Sequence, residues 1–217
     1  MPLFRSTTVD IKNMESEEST ATRIQSSEVH IIGLLGGPGS GKGTQSKRLS
    51  QEYEINHISV GDILRAEADR EGSEYAPIIK QNMLAGTVGP REITIKILKS
   101  HILKAATRVF ILDGFPRNMD QAQYFQQMIS PISSVIVLEC SEDVLIERLL
   151  PRGRFDDNAG NIHRRLNTFK ETTSIVIDHF DREDKVHVIN AEGSVQAVYD
   201  QLIQVVGAFA KRRNVHT

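Results

Sequence analysis

From residue 29 onward the chain alternates short apolar runs with longer stretches in which apolar positions recur every three or four residues. The short runs are Val29–Leu35, Ile55–Ser59, Val109–Phe115, Ser134–Cys140 and Lys185–Asn190. Several are apolar at consecutive positions, so both faces would be buried, as in strands inside a parallel sheet. Between them lie amphipathic segments with helical spacing: Gln45–Tyr53, Asp62–Glu71, Tyr75–Ala85, Glu92–Ala105, Asp120–Ile129, Glu142–Leu150 and Asn161–Phe180. Val195–Ala210 closes the series. This alternation predicts an α/β fold, a doubly wound parallel five-stranded sheet with helices on both faces and right-handed connections. In such sheets ligands bind outside the carboxyl ends of the strands.

The first strand run leads straight into Gly36-Gly37-Pro38-Gly39-Ser40-Gly41-Lys42-Gly43-Thr44, and the first helical pattern follows. This is a phosphate-binding loop (P-loop) in the context it needs. Glycines let successive N–H groups turn toward one anion, the helix N-terminus adds its dipole, and Lys42 supplies a mobile charge for β- and γ-phosphates. A mere Gly/Pro-rich turn would need neither that glycine spacing nor the lysine. The usual motif has Ser or Thr directly after the lysine; here Gly43 stands there and Thr44 follows.

Composition narrows the partners. With 217 residues, 39% hydrophobic and 25% charged, the chain can bury a single sizeable core, and its formal charge of -2 gives no bulk attraction to nucleic acid or to an anionic membrane. Small molecules are the expected partners, and a monomer the expected state. The lone Cys140 excludes an intramolecular disulfide and a cysteine metal cluster, and its place at the end of an apolar run predicts a buried, inert thiol. No apolar run approaches the roughly 18 residues of a membrane span. Residues 1–27, rich in Ser and Thr and carrying Glu15, Glu17 and Glu18, read as a disordered tail; residues 28–217 read as one domain with insertions. A cytoplasmic location is expected, with a nuclear pool as an extension and a short organelle signal in Met1–Lys12 as the alternative.

Asp113 ends the apolar run Val109–Phe115, where a lone charge is costly to bury without a cation or donors beside it. It is the candidate to organise Mg²⁺ and its waters next to bound phosphates; the plainer reading is an aspartate that caps the following turn. Gly114-Phe115-Pro116 is a rigid turn that aims Arg117 over the crevice. Arg65, Arg148, Arg152, Arg154 and Arg165 also follow strand ends, and planar guanidinium groups suit bidentate phosphate binding. His57, His101, His163, His179 and His187 show no metal-ligand spacing and are read as structural.

The segments Gly36–Gln45, His57–Arg65, Asp113–Arg117, Glu147–Leu150, Arg154–Asn158 and Arg164–Phe169 resemble, in order, the motifs of the adenylate and UMP/CMP kinase family. Among nucleoside monophosphate kinases the eukaryotic UMP/CMP branch is the most similar, and the resemblance spans residues 29–210. It implies an NMP-binding insertion at 59–89 and a lid at 151–157, with Asp156 and Asp157 pairing with lid arginines. It also implies that Gly39, Ser40, Gly41, Lys42, Gly43, Thr44, Arg148, Arg152 and Gly193 bind ATP. The acceptor would lie against Ser59, Val60, Arg65, Thr87, Val88, Gly89 and Gly114, then Phe115, Pro116, Arg117, Gln121, Arg154 and Arg165. Lys42, Arg117, Arg152, Arg154 and Arg165 would act in catalysis, and Asp113 would hold Mg²⁺ through water.

The implied reaction is transfer of the γ-phosphoryl group of ATP to UMP, then CMP and dCMP, with some AMP, in pyrimidine nucleotide biosynthesis. Val60, where adenylate kinases carry threonine, and Glu92-Ile93-Thr94-Ile95 favour pyrimidines; Gln121 favours AMP. An adenylate kinase is therefore one alternative, and a nucleotide-binding regulatory protein with weakened turnover another. Two departures from the family stand out: Gly89-Pro90 replaces Val-Pro, and Arg152-Gly153-Arg154 joins two arginines that family members separate by roughly four more residues, a join that spans at most about 7 Å.

Overall fold

A computed structural model describes residues 29–105, 107–152 and 159–213. Five parallel strands form one sheet in the order β2-β3-β1-β4-β5, with β1 His30–Gly36, β2 Asn56–Ser59, β3 Val109–Asp113, β4 Ser134–Glu139 and β5 Val186–Asn190. Side chains alternate between the two faces. Ile31 and Leu35 of β1, Phe110 and Leu112 of β3, and Val135 and Val137 of β4 enter one core; Ile32, Leu34, Ile111, Ile136 and Leu138 enter the other. The uninterrupted apolar runs in the sequence thus mean two buried faces.

Helices cover both. Helix α4, Arg91–Ile102, buries Thr94, Ile95, Ile97, Leu98 and Ile102, and Ile95, Leu98 and Ile102 join the first core. The last helix, α9, Val195–Val206, packs Val198, Tyr199, Leu202 and Val206 into the second, alongside Leu49 of α1, Lys42–Glu52. Each Leu or Phe taken fully out of water contributes about 2 kcal/mol, so cores of this extent hold the strand ends rigidly.

Between β2 and α4 the chain makes an excursion: α2, Val60–Asp69, and α3, Ala76–Ala85, share with α4 a small cluster of Ala68, Ile79 and Ile97 with Ile63, Leu64, Tyr75, Met83 and Ile93. A knot of hydrogen bonds closes the turn between them. Arg70 donates from Nε and Nη2 to Glu67 at 2.9 and 2.7 Å, and the Ser73 hydroxyl donates to the same carboxylate at 2.5 Å. These bonds, Arg70's first, hold the Glu67 carboxyl at about 2 against an ordinary 4.5. A depressed carboxylate stabilises the fold fully above its unfolded pKa and loses that contribution as pH falls toward its folded one. The Tm difference between the wild type and Glu67→Gln should therefore be constant above pH 5 and shrink between pH 4.5 and pH 2. Circular-dichroism melts across that range provide the check, and an undiminished difference would refute the linkage.

The remaining helices are α5, Met119–Met128, α6, Glu142–Leu149, α7, Ala159–Thr168, and α8, Ser174–Asp181. Three expectations need correction. The segment Asn161–Phe180 is not one regular helix, because a π-helical turn, Phe169–Thr173, joins α7 to α8. Within it the hydroxyls of Thr172 and Thr173 both donate to the Arg117 carbonyl, at 2.8 and 3.1 Å. Strand β3 stops at Asp113, since Gly114, at φ 75, turns the chain while its N–H donates to the Leu34 carbonyl at 2.9 Å. Cys140 lies one residue beyond β4 and is half-buried, with burial pushing its thiol pKa up. Residues 1–27, together with Gly153, Arg154, Phe155, Asp156, Asp157 and Asn158 of the expected lid, fall outside the described residues. Arg152 is the last backbone position of a 3₁₀ turn, Leu150–Arg152.

Candidate active site

Strands β1 and β4 send their connections in opposite directions, so a crevice opens at their carboxyl ends, and the glycine-rich loop fills it. Gly39 has φ 93, and a Cβ there would lie 2.6 Å from the Leu145 carbonyl oxygen of α6, so no other residue fits that bend. The Lys42 ammonium donates to the carbonyls of Gly36 and Gly37 at 2.9 and 3.0 Å and to Ser40 Oγ at 3.3 Å, which poises it over the loop. Behind the loop, Gln45 Nε2 donates to the Val195 carbonyl at 2.9 Å. Arg148 reaches from α6 to the carbonyls of Ala191 and Glu192, at 2.8 and 3.3 Å. The Glu192 carboxylate in turn accepts from the Ser141 N–H at 2.8 Å, and hydrogen bonding from Ser141 holds its pKa below the usual carboxylate range. The segment 191–195 is thereby fixed beside the loop as one wall of the crevice.

At the other side, sheet register puts Asp113 level with Leu34 and with Ser59, and Ser59 Oγ caps α2 by accepting from the Asp62 N–H. Asp113 is almost buried and faces both the loop and a histidine. A Cβ on Gly43 would sit 3.4 Å from its Oδ2, and His57 Nε2 lies 3.5 Å from the same oxygen.

Two cavities meet here. A cleft of about 700 Å³ runs from Gly193 and Val195 over the loop to Asp113, and a recess of about 70 Å³ beneath the α2–α3 excursion is lined by Val60, Asn82, Thr87, Val88, Gly89 and Gln121 among others. Arg65, Arg117 and Arg165 line both. Their guanidinium groups come from α2, the turn after β3, and α7, and Arg117 Nε is anchored on the Gly114 carbonyl at 2.9 Å. A cationic neck where the cleft meets the smaller recess is suited to gathering phosphate oxygens from two molecules, since planar multi-donor cations bind such oxygens bidentately.

A family model described as adenylate kinase matches residues 34–185. The chain belongs to the adenylate kinase family. Among its curated relatives, a uridylate kinase of Saccharomyces cerevisiae is 44% identical over 79% of this chain and 88% of its own length. A UMP-CMP kinase of Lentinula edodes is 36% identical over 93% and 94% of the two chains, and an adenylate kinase 1 of Schistosoma mansoni 40% identical over 79% and 90%.

Within this adenylate kinase fold, the residues expected to bind ATP divide cleanly. Gly39, Ser40, Gly41, Lys42, Gly43, Thr44, Arg148 and Gly193 all line the large cleft, as does Asp113. Of the acceptor set, Val60, Thr87, Val88, Gly89 and Gln121 line the recess, Ser59 lines the cleft, and Gly114 lines both. Phe115 and Pro116 line neither. Phe115 is wholly buried against Phe125, ring centroids 5.1 Å apart, so these two residues shape the turn from behind instead of facing a ligand. The side chains of Arg152 and Arg154 lie outside the described residues.

Some cavity residues are not among those the sequence singles out as site residues. His57 faces Asp113, although its isolated place in the chain suggested a structural role. Asn82 joins the recess, holding the Thr87 hydroxyl at 3.0 Å on its Oδ1. Gln45 and Thr173, both buried, and the half-buried Thr168 also reach the cleft, positions that a helical pattern alone reads as packing.

Proposed function

We propose that this chain transfers the γ-phosphoryl group of ATP to a pyrimidine nucleoside monophosphate, UMP first, CMP and dCMP next, AMP more weakly, giving ADP and the nucleoside diphosphate. The observation that carries the reading is the neck of Arg65, Arg117 and Arg165, shared by the phosphate-loop cleft and the smaller recess. ATP lies along the loop with its base against Gly193 and Val195, and the acceptor base enters the recess. An oxygen of the acceptor phosphate then attacks the γ-phosphorus in line. The new P–O bond forms as the β–γ bridge breaks, and ADP leaves with the electron pair. No protein nucleophile is required, because positioning and charge neutralisation supply most of the catalysis in phosphoryl transfer. Lys42 and the three arginines spread over the equatorial oxygens that accumulate charge. All these groups come from one chain, which supports a monomer as the working unit.

The donor set also suits Mg²⁺. That ion keeps most of its waters and takes one or two carboxylates plus substrate phosphates, so the single nearly buried Asp113 facing Gly43 is enough to hold it through water. When bound, Mg²⁺ would neutralise charge on the β- and γ-oxygens.

Acceptor choice rests on the recess. Gln121 Oε1 accepts from the Arg117 N–H at 3.1 Å and Nε2 donates to the Gly89 carbonyl at 3.5 Å, which leaves the second amide N–H to meet a base. An N–H donor matches O4 of uracil, N3 of cytosine and N1 of adenine alike, so breadth is built in. Adenylate kinase activity is the second reading, and this glutamine is what favours it.

Coupled assays with ATP and each of UMP, CMP, dCMP, AMP and GMP should rank UMP first. Val60, buried in the recess, offers no hydrogen bond. Val60→Thr should raise kcat/KM for AMP relative to UMP by up to about tenfold, the worth of one hydrogen bond. An unchanged ratio would show that Val60 does not face the base, and AMP ranking first in the wild type would favour the second reading.

A further inference from the structure

The C-terminus of α3 ends in the recess, and its last carbonyls need partners, as at any helix end. Its own backbone supplies some: the Thr87 N–H donates to Asn82 O at 3.0 Å and the Gly86 N–H to Met83 O at 3.2 Å. The others come from far along the chain. Asn161 Nδ2 donates to Met83 O at 3.1 Å, Arg164 Nη2 to Leu84 O at 3.2 Å, and the Thr168 hydroxyl to Gly86 O at 2.8 Å.

These three side chains lie on α7: Asn161 and Thr168, four residues before and three after Arg165, share its side of the helix, and Arg164, three after Asn161 and four before Thr168, flanks them. Asn161 is fully buried, an unusual position for an amide unless its hydrogen bonds matter. The approach is as close as backbone allows. Gly86 sits at φ 71, and a Cβ there would come within 2.7 Å of Asn161 Oδ1, 3.1 Å of Arg164 Cβ and 3.3 Å of Arg165 Cγ. Only a glycine lets α7 seat against this helix end.

We propose that Asn161, Arg164 and Thr168 form a latch that fixes the α2–α3 excursion in register with the Arg165 guanidinium, making them positioning residues for the acceptor. None of the three need touch the transferred group. Through them, the excursion that covers the acceptor base and the helix that carries a phosphate-binding arginine become one mechanical unit. Continuing from α7, the π-helical turn bonds the Arg117 carbonyl through Thr172 and Thr173, so a second arginine of the neck is tied to the same run. The latch deepens the kinase reading and rests on it for its consequence in catalysis.

The test uses the full chain carrying Asn161→Ala with Thr168→Val, and separately Thr168→Ser, which keeps the hydroxyl. Amide hydrogen exchange in nucleotide-free protein should accelerate about tenfold or more across residues 83–89 in the double variant, with strands β1, β3 and β4 unchanged. The KM for UMP should rise by at least about tenfold while the KM for ATP rises no more than about twofold, and Thr168→Ser should keep amide exchange across 83–89 at the wild-type rate. Unchanged exchange at 83–89 would overturn the latch. So would equal rises in both KM values or faster exchange in the sheet, since either marks a general structural loss. A wild-type protein without kinase activity would defeat the functional reading instead, and the exchange measurement would still decide whether these contacts hold the excursion.

Discussion

Lys42→Met should lower turnover about 10²- to 10³-fold while the protein melts within a few degrees of the wild type. Removing one preorganised donor aimed at developing charge costs about 3–4 kcal/mol in the transition state, and each 1.4 kcal/mol is about tenfold in rate. Methionine keeps the length of the stem and loses the ammonium, with its contacts to Gly36, Gly37 and Ser40. Those contacts are half-exposed and lie within the loop itself, so their loss is small beside the two buried cores. Steady-state rates together with a thermal melt separate the effects. Turnover within tenfold of the wild type would remove the loop from the reaction.

Arg165→Ala is the second large effect, expected to be about 10³-fold on kcat with UMP and ATP saturating. Its guanidinium is half-buried and lines both the cleft and the recess, so it is among the cations able to touch donor and acceptor phosphates together. Arg165→Lys should restore little, because a point charge cannot reproduce the planar fork. A rise in KM with kcat unchanged would mean that Arg165 binds ground-state substrate only and does not serve the transition state.

The parts of the molecule that sequence reading captured are those whose signal is local. Strands buried on both faces announce themselves as apolar runs, and the phosphate loop as fixed glycine spacing followed by a helix. Asp113 and Arg117 were legible because they sit where a strand ends and the chain must turn. The misreadings come from tertiary demands. Nothing local in Phe169–Thr173 distinguishes a π-helical turn from a regular helix; the turn goes with two threonine hydroxyls that reach the Arg117 carbonyl, 55 and 56 residues away in sequence. Phe115 lay within a motif and was expected to face a ligand, yet its ring fills the core against Phe125. His57 and Asn161 matter through partners 56 and 78 residues away, Asp113 and Met83, which no periodicity encodes.

The separate small core of Ala68, Ile79 and Ile97 carries an evolutionary corollary. The excursion leaves the sheet after Ser59 and rejoins it through α4, and Ala68, Ile79 and Met83 pack in this cluster with Ile93 and Ile97 of α4. Substitutions at Ile79 and Met83 can reshape the recess without entering the two cores that hold the phosphate loop, whereas Val60 belongs to the first of them. Such a layout lets the choice of acceptor drift between lineages while the donor end stays fixed, a cassette exchanged in a constant chassis.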